Sequence, residues 1–472
     1  MKAPGRALLN RFVAIVGADN AIRDADAMAA YLTDPRERLV GRTSLVLRPG
    51  SVEEVAAILK LADECGTPIV PQGGNTGLVG GQIPSESGDE IVVSLARLDR
   101  VRAVDPKGNV LTVEAGVTLA AAREAAQTAG RLLPLSLASE GSCTIGGNLA
   151  TNAGGTGVLA YGTARALVLG VEVVLASGKV WDGLRKLRKD NTGYDLKHLF
   201  VGAEGTLGVI TAATLRLFPR PRGTSVAIVA VSNPAAALGF LDVALVRAGA
   251  GLVACEIMAR ICLDAALRHL PGARDPLPDR YSWYVLFEIA SSRSQREAET
   301  LVATIFSAAA DRGYVEDGVR AESLDQAATL WRLRESLSEV QKREGGSIKH
   351  DVAVPVAAVP QFLERAKAAV VEVVPGARPF PFGHLGDGSL HFNVSQPPGM
   401  DRDAFLARSA EVNAAVHAVV LDLGGTISAE HGIGRVKRDL LAEVKSPVEM
   451  DLMRRLKKAF DPNGILNPGR VL

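Results

Sequence analysis

Histidines and one glutamate are concentrated in two segments near the C-terminal end of the chain. GHLGDGSLHFN contains His384 and His391, and SAEHGIG contains Glu430 directly before His431. Two imidazoles and one carboxylate are the ligands of an open, catalytic divalent-metal site that keeps a position for water or substrate. We therefore predict a metal site built from these segments, with His431 left over as a base.

Taken one at a time, the same residues have ordinary explanations. His384 and His391 could be hydrogen-bonded histidines of a loop and a strand, Glu430 a solvated carboxylate, and His431 a structural donor. Asp387 lies in the turn between the two histidines, where it could orient His384 or simply form the turn.

Composition narrows the class of protein. A chain of 472 residues with 47% hydrophobic and 22% charged residues is ordinary for two or three globular domains. A formal net charge of +1 argues against nucleic acid or an anionic membrane as the main partner. We find no apolar run near the roughly 18 residues that span a bilayer. The four cysteines form no CxxC pair, so we expect free thiols and a reducing, cytoplasmic location.

The first segment, MKAPGRALLNRFVAIVG, carries Lys2, Arg6 and Arg11 before any acidic residue, which faintly suggests a targeting peptide. Asn10 and Arg11 interrupt its apolar stretch, and no small-residue cleavage site follows. We therefore predict an ordinary amphipathic helix here.

Local signals divide the chain into parts. Ser51 and Glu54 form a capping box and predict a helix that Gly66 ends. VEVVLASGKVWDG predicts a hairpin with Ser177 and Gly178 at its turn. WRLRESLSEVQKREGG predicts an amphipathic helix. The middle of the chain alternates strands and helices, which predicts an α+β sandwich with an antiparallel sheet.

Three glycine-rich segments, PQGGNTGLVGG, SEGSCTIGGNLATNAGG and GAEGTLG, favour a phosphate-bearing ligand, because glycine lets backbone N–H groups approach a pyrophosphate. None matches GxGxxG in a short strand–turn–helix unit or GxxxxGK[ST], so Rossmann and Walker loops are not supported. A single such loop would more often be a plain turn.

Together these motifs resemble a known family. PQGGNTGLVGG, EGSCTIGGNLATNAGG, GAEGTLGVIT, GHLGDGSLHFN, AEHGIG and NPGR, in this order, resemble the FAD-linked oxidases of the vanillyl-alcohol-oxidase type. Among them the chain is most similar to the D-2-hydroxyacid dehydrogenases, which include D-2-hydroxyglutarate and D-lactate dehydrogenases. The resemblance covers 41–472. It implies an FAD-binding domain at 1–220, an α+β substrate-binding domain at 221–424 and a C-terminal segment at 425–472 that returns to the flavin.

The resemblance also implies which residues hold FAD: Gly73, Gly74, Asn75, Thr76, Gly77, Ser142, Gly147, Asn152, Ile210 and Asn467. Some relatives bind the flavin covalently through a His of the first loop, which here has none, or a Cys of the second. We interpret Cys143 as a packing residue and expect noncovalent FAD, with covalent attachment as the minor alternative.

In the same family, His384, His391 and Glu430 correspond to metal ligands and His431 to the catalytic base. Two histidines and a glutamate suit zinc, although manganese and iron fit too.

For the substrate, the resemblance assigns Arg334 to the C1 carboxylate. We expect Ser338, one turn further, to share its helix face. Asn393 shares a face with His391 if the segment is a strand. Lys349 is the most discriminating residue, since a buried lysine there would counter a distal carboxylate. A solvated helix face and a surface lysine are the plain alternatives for Arg334 and Lys349.

The resemblance implies oxidation of D-2-hydroxyglutarate to 2-oxoglutarate, with electrons passed to an external acceptor such as an electron-transfer flavoprotein or a quinone pathway. The alternatives are a D-lactate or glycolate dehydrogenase, including the FAD subunit of a glycolate oxidase complex, and a flavin-binding partner without turnover. We expect a homodimer.

Overall fold

The structure is a computed structural model and describes residues 4–472, so that Lys2 and the start of the predicted N-terminal helix lie outside the described residues. The strands, in chain order, are β1 Ala21–Ile22, β2 Val46–Leu47, β3 Ile69–Gln72, β4 Ile91–Ser94, β5 Val101–Asp105, β6 Val110–Glu114, β7 Arg131–Leu132, β8 Val168–Val174, β9 Val180–Gly183, β10 Val209–Arg216, β11 Phe218–Pro219, β12 Gly223–Val231, β13 Leu252–Ala259, β14 Trp283–Ser291, β15 Asp317–Arg320, β16 Ser347–Ile348, β17 Val352–Ala353, β18 Arg378–His384 and β19 Ser389–Ser395.

The helices, in chain order, are α1 Arg6–Val16, α2 Ala25–Leu32, α3 Val52–Cys65, α4 Leu119–Thr128, α5 Ile145–Ala150, α6 Val158–Tyr161, α7 Ala164–Leu167, α8 Lys197–Phe200, α9 Pro234–Ala248, α10 Arg260–His269, α11 Gln295–Ala310, α12 Leu324–Glu335, α13 Leu337–Val340, α14 Val359–Val373, α15 Arg402–Ala407, α16 Ser409–Asp422, α17 Arg438–Val444 and α18 Pro447–Phe460. Short 3-10 turns add Ala18–Asn20, Gly249–Gly251, Gln341–Glu344 and Val356–Ala358.

The chain forms two compact units. The first contains 1–155, 162–219 and 431–472, and the second contains 156–161 and 220–430.

The first unit contains three sheets. One has the order β1-β2-β4-β3, in which β2, β4 and β3 run parallel, another is the antiparallel β5-β6-β10-β8-β9, and the third is the two-stranded antiparallel pair β7 and β11. Helix α3 begins as predicted, because the Ser51 hydroxyl accepts the Glu54 N–H, and it ends at Gly66 in the left-handed conformation. The predicted hairpin is β8–β9, with Gly178 at a φ of 76°.

The second unit is one large antiparallel sheet, in the order β15-β12-β14-β13-β18-β19-β16, with β17 also paired to β19. Side chains alternate between its faces: in β12, Val229 belongs to the core under α9, α11, α14 and α16, whereas Ile228 belongs to the core under α10, α12 and α13. The predicted α+β class with an antiparallel sheet is confirmed.

One sequence prediction needs correction in this unit. WRLRESLSEVQKREGG is not one helix: α12 ends at Glu335, α13 is a single turn, and a 3-10 turn follows. The Ser336 hydroxyl donates to the Leu333 carbonyl at 3.0 Å, a local bond that competes with the helical ladder. In addition, within residues 4–472 the segment Pro234–Gly251 is long and apolar enough to cross a membrane, by length and composition alone. Its helix buries Phe240 and Leu241 in the core of the second unit, as a core helix does.

Candidate functional site

The first glycine loop follows β3 in the first unit and offers unused backbone donors. Asn75 has a φ of 53°, and its side chain ties the loop down by donating to the carbonyls of Ala30 and Thr33. Among residues 4–472, the backbone N–H groups from Gly74 to Val79 donate no hydrogen bond. Half-buried donors without a partner in the protein are what the oxygens of a pyrophosphate would satisfy.

The second glycine segment packs against the first loop but does not offer the same unused N–H groups. Its N–H groups at Ser142, Cys143, Ile145 and Gly146 all donate to carbonyls of the fold. A Cβ at Gly74 would collide with the Ser142 carbonyl, whose carbon would be 2.7 Å away. Glycine at this position is therefore required by the close approach of the two segments.

The remaining predicted FAD residues occupy varied positions in the first unit. Ser142 is exposed, Gly147 lies in the first turn of α5, and Ile210 is buried in β10. The Asn152 side chain accepts the Arg165 N–H at 3.0 Å, so it organises its own loop. Asn467 is buried and donates to the carbonyls of Gly81 and Glu204, while its side-chain oxygen has no partner in the described chain. That orphaned acceptor and the free loop donors fit a bound dinucleotide.

Glu204, in GAEGTLG, has a role that the sequence did not indicate. Its carboxylate accepts the N–H groups of Ile433 and Gly434, each at 2.7 Å, and it thereby holds the turn that follows His431. Burial raises the pKa of Glu204, although the two N–H groups and the charge of Lys437 act in the opposite direction.

In the second unit, the candidate metal and substrate residues share one face of the sheet. Glu256 of β13 is paired with His384 of β18, and Phe382 of β18 with His391 of β19. Since side chains alternate along a strand, these residues lie on the face that carries α10, α12 and α13. His384 and His391 are thus diagonal neighbours on adjacent strands, and Asn393 follows His391 on the same face, as predicted for a strand.

A buried carboxylate joins two of these groups. Glu256 Oε1 lies 2.6 Å from His384 Nδ1, and Glu256 Oε2 accepts a hydrogen bond from Arg334 Nε at 2.8 Å and lies 2.7 Å from Arg334 Nη2 in the same ion pair. His384 Nε2 lies 3.2 Å from Glu430 Oε1. Burial acts to raise the pKa of Glu256, but His384 and Arg334 outweigh it and lower that pKa. Burial likewise lowers the pKa of His384, and Glu256 and Glu430 outweigh it and raise that pKa well above its ordinary value.

The donor set fits a divalent metal. Two ligand atoms of one tetrahedral cation, each about 2.0–2.1 Å from it, lie roughly 3.3 Å apart, close to the 3.2 Å between His384 Nε2 and Glu430 Oε1. His391 has a ring nitrogen within 4.8 Å of a carboxylate oxygen of Asp351. The Glu430 N–H also faces the Asp351 carboxylate, at 3.3 Å. The described residues therefore bring two predicted ligands together and place the third beside an unpredicted acid.

The predicted substrate residues are not all arranged as expected. Arg334 is buried, with its guanidinium 4.9 Å above the Phe382 ring. Ser338 is exposed and belongs to α13, separated from the helix of Arg334 by Ser336. Lys349 is half-buried rather than buried, and its Nζ donates to the Ser338 carbonyl at 3.2 Å.

Asn393 is buried and engaged in the fold. Its amide donates to Gln341 at 2.8 Å and accepts the His350 N–H at 3.2 Å. Any contact of Asn393 with a substrate would have to use its remaining N–H or lone pair.

The sequence missed Glu256 and Asp351. Glu256 is the single acid of the strand segment LVACEIM, and Asp351 directly precedes the short strand β17 in HDVAVP; a buried acid of this kind needs a partner. Of the two possibilities for Asp387, the structure shows the turn, because Asp387 accepts the Ser389 N–H at 2.9 Å. The group beside His384 Nδ1 is Glu256.

Comparisons with known proteins agree with this architecture. Residues 43–183 match the FAD binding domain, and residues 220–471 match the C-terminal domain of FAD linked oxidases. The chain is 38% identical to a probable mitochondrial D-2-hydroxyglutarate dehydrogenase of Oryza sativa subsp. indica, over 98% of the chain and 81% of that protein. It is 39% identical to a D-2-hydroxyglutarate dehydrogenase of Xanthomonas citri pv. viticola, over 93% and 92%. Its fold is similar to p-cresol methylhydroxylase, at a TM-score of 0.77 and 19% identity over 98% and 96% of the two chains.

Proposed function

This chain belongs to the family of FAD-linked oxidases that includes the D-2-hydroxyglutarate dehydrogenases, and from this premise we propose that it oxidises D-2-hydroxyglutarate to 2-oxoglutarate. It is an FAD-dependent oxidoreductase that acts on a CH–OH group. The observation that carries the proposed substrate chemistry is the line of contacts from Arg334 through Glu256 and His384 to Glu430 on one face of the sheet. The guanidinium of Arg334 is a buried cation that can bind a carboxylate, and it lies beside candidate metal ligands.

Arg334 binds the 1-carboxylate of the substrate in this proposal. Glu256 takes the Nε–Nη2 edge of the guanidinium, while within residues 4–472 Nη1 makes no hydrogen bond. The other edge can therefore receive a carboxylate in the bidentate geometry that arginine favours. Lys349 gives the distal carboxylate its counter-charge, and Ser338 and Asn393 complete the set.

His384, His391 and Glu430 hold a divalent metal, which we propose to be zinc, with manganese or iron as alternatives. A bound divalent cation supplies the charge that lowers the pKa of the 2-hydroxyl group. His431, directly after Glu430 in the chain, accepts the hydroxyl proton. Asp351 keeps Glu430 in place by accepting its backbone N–H.

The unused N–H groups of the first glycine loop, Gly73 to Gly77, and the orphaned oxygen of Asn467 hold noncovalent FAD. FAD supplies, when bound, the acceptor for a hydride from the second carbon. Ser142, Gly147, Asn152 and Ile210 shape its surroundings. An electron-transfer flavoprotein or a quinone pathway as the final acceptor, a homodimer and a cytoplasmic location are further parts of the proposal.

A steady-state assay with a dye acceptor over D- and L-2-hydroxyacids tests this function. We expect D-2-hydroxyglutarate to bleach the flavin and to give the highest kcat/KM, and metal removal by a chelator to abolish turnover while FAD stays bound. Lys349→Ala should lower kcat/KM for D-2-hydroxyglutarate at least tenfold and leave D-lactate nearly unchanged, because D-lactate has no distal carboxylate.

The other outcomes distinguish the alternatives. A preference for D-lactate or glycolate that Lys349→Ala does not alter would replace the proposed substrate. Flavin that no hydroxyacid reduces would leave a flavin-binding partner protein without turnover. Full activity in metal-free protein would remove the metal from the proposal.

A further inference from the structure

One acidic side chain of the second unit contacts both a candidate metal ligand and the candidate substrate cation. We propose that Glu256 is a positioning residue that fixes His384 as the tautomer able to bind the metal and, with its other oxygen, holds Arg334 ready for the substrate carboxylate. This inference deepens the proposed function and rests on its metal site.

Glu256 lies in a position that would be costly for an acid without partners. It is 1% exposed and is the only charged residue of β13, whose other residues, such as Ile257 and Met258, pack in the core. An uncompensated buried charge is strongly destabilising. The strand register places His384 directly opposite, and α12 delivers Arg334 to the same face.

The two oxygens of Glu256 contact different residues, Oε1 the ring of His384 and Oε2 the guanidinium of Arg334. A carboxylate only accepts, so the short contact of Oε1 with His384 Nδ1 requires the ring proton to be on Nδ1. Nε2 then faces Glu430, on the side of the ring where the proposed metal lies, and a bound cation would take the Nε2 lone pair in place of a proton. Oε2 accepts the Arg334 Nε–H and pairs with Nη2, and the Phe382 ring lies against one face of the guanidinium.

Glutamine at position 256 has nearly the same shape but reverses one hydrogen bond. Arg334 has only donors, so the amide oxygen of Gln must face Arg334 and the amide N–H2 must face His384 Nδ1. Nδ1 then has to accept, the ring proton moves to Nε2, and Nε2 can no longer bind a cation. Glu256→Gln should therefore weaken metal binding even though no proposed ligand is changed.

The experiment measures Zn²⁺ affinity of the FAD-loaded protein by competition with a chelating dye. We expect Glu256→Gln to lose about 10- to 100-fold in affinity, the usual effect of losing the partner of a metal-bound histidine. Glu288→Gln is the matched control. Glu288 lies on β14, on the same sheet face, and bonds Trp331 rather than His384 or Arg334. The Zn²⁺ affinity of the Glu288→Gln variant should equal that of the unmodified protein.

A double variant distinguishes tautomer control from general damage. In Glu256→Gln/Arg334→Gln the obligate donor is gone, so the amide at 256 can turn its oxygen to His384 and restore the Nδ1 proton. We expect Zn²⁺ affinity to recover toward that of the unmodified protein, whereas additive damage would lower it further. The pair Glu256→Met/Arg334→Gln has no oxygen acceptor at position 256, so its Zn²⁺ affinity should stay low. Comparing the two double variants tests the tautomer role even if Glu256→Gln alone does not fold.

Two results would overturn the inference, and they differ in what else they remove. Equal Zn²⁺ affinity in the unmodified protein and Glu256→Gln, or equal affinity of the Gln and Met pairs, would end the role of Glu256 and leave the proposed function intact. Failure of the unmodified protein to bind Zn²⁺, Mn²⁺ or Fe²⁺ would remove the metal from the proposed function and the inference with it.

Discussion

The first glycine loop and the face of the large sheet that carries Glu256 and His384 offer different kinds of group to a ligand. In the loop, side chains such as Asn75 hold the backbone, and backbone N–H groups are left over for a ligand. On the sheet, the ladder uses the backbone groups, and side chains such as Glu256 and His384 are the groups proposed to serve a ligand. We therefore expect the loop to be sensitive to added atoms and the sheet face to be sensitive to changes of charge and hydrogen-bonding capacity.

The largest effect should follow from one methyl group in the loop. Gly74→Ala places a Cβ against the backbone of Ser142, 2.7 Å from its carbonyl carbon and 3.1 Å from the Cα of Cys143. Backbone cannot yield as a flexible side chain does, so we expect a loss of about 3 kcal/mol or more in stability. Flavin absorbance per chain and the thermal unfolding midpoint should both fall sharply.

Gly141→Ala is the control for this prediction. Gly141 belongs to the second glycine segment, is exposed, and a Cβ there would meet nothing within 4 Å. Its flavin content should stay unchanged and its stability within about 0.5 kcal/mol. Equal behaviour of the two alanine variants would contradict the idea that close backbone approach explains the glycine at position 74.

Local features of the first unit could be predicted from the sequence, whereas long-range pairings such as that of Glu256 could not. The cap at Ser51 and the left-handed Gly66 follow from neighbours in the chain, and so does the β8–β9 hairpin. Glu256 is different, because its partner His384 lies 128 residues away and meets it only through the register of β13 and β18. The sequence supplies the residue types there, but not which acid reaches which base.

Helix α12 ends earlier than the sequence pattern predicts. The apolar period continues through Ser336, but the hydroxyl of Ser336 bonds the Leu333 carbonyl and the helix stops. Periodicity alone does not reveal such a local competition, so it predicts one continuous helix through Ser338. The family resemblance implies the candidate ligands, whereas Asp351 comes close to His391 only through the fold.

A smaller effect should come from Glu204, a side chain of the first unit that binds backbone. Glu204→Gln can accept with only one of its two terminal atoms, so the N–H of Ile433 or Gly434 would face an amide N–H2. We expect a cost of about 1–3 kcal/mol for the unsatisfied group. Because this turn follows His431 directly, kcat should also fall roughly 10- to 100-fold, as misplaced catalytic groups do.

Flavin content should stay constant in Glu204→Gln, which separates this variant from Gly74→Ala. Glu443→Gln is its control, since Glu443 is exposed on α17. We expect no change in kcat for that variant. An unaltered kcat in Glu204→Gln would show that the turn does not position His431.

The smallest effect concerns Glu288, a second acid on the same face of the sheet. Glu288 accepts the Trp331 indole N–H at 2.9 Å, and burial raises its pKa, although that hydrogen bond acts against the shift. Burial and the nearby Glu288 charge also raise the pKa of Tyr161. Glu256, on the same face, has a lowered pKa because Arg334 and His384 accompany it. The two acids should therefore respond to pH in opposite directions.

For Glu288 the sign is fixed by proton linkage. Above the ordinary carboxyl pKa of 4.5 the unfolded chain releases this proton while the folded protein keeps it, so stability falls as pH rises toward the raised pKa. Glu288→Gln stays neutral and lacks this loss. At pH 5 the two proteins should differ by no more than about 0.5 kcal/mol, and the variant should gain relative to the unmodified protein as pH approaches 8. Thermal unfolding midpoints across this range measure the difference, with the exposed Glu322→Gln as control. Parallel pH profiles for all three proteins would mean that Glu288 is ionised at little cost, and the contrast between the two acids of this face would disappear.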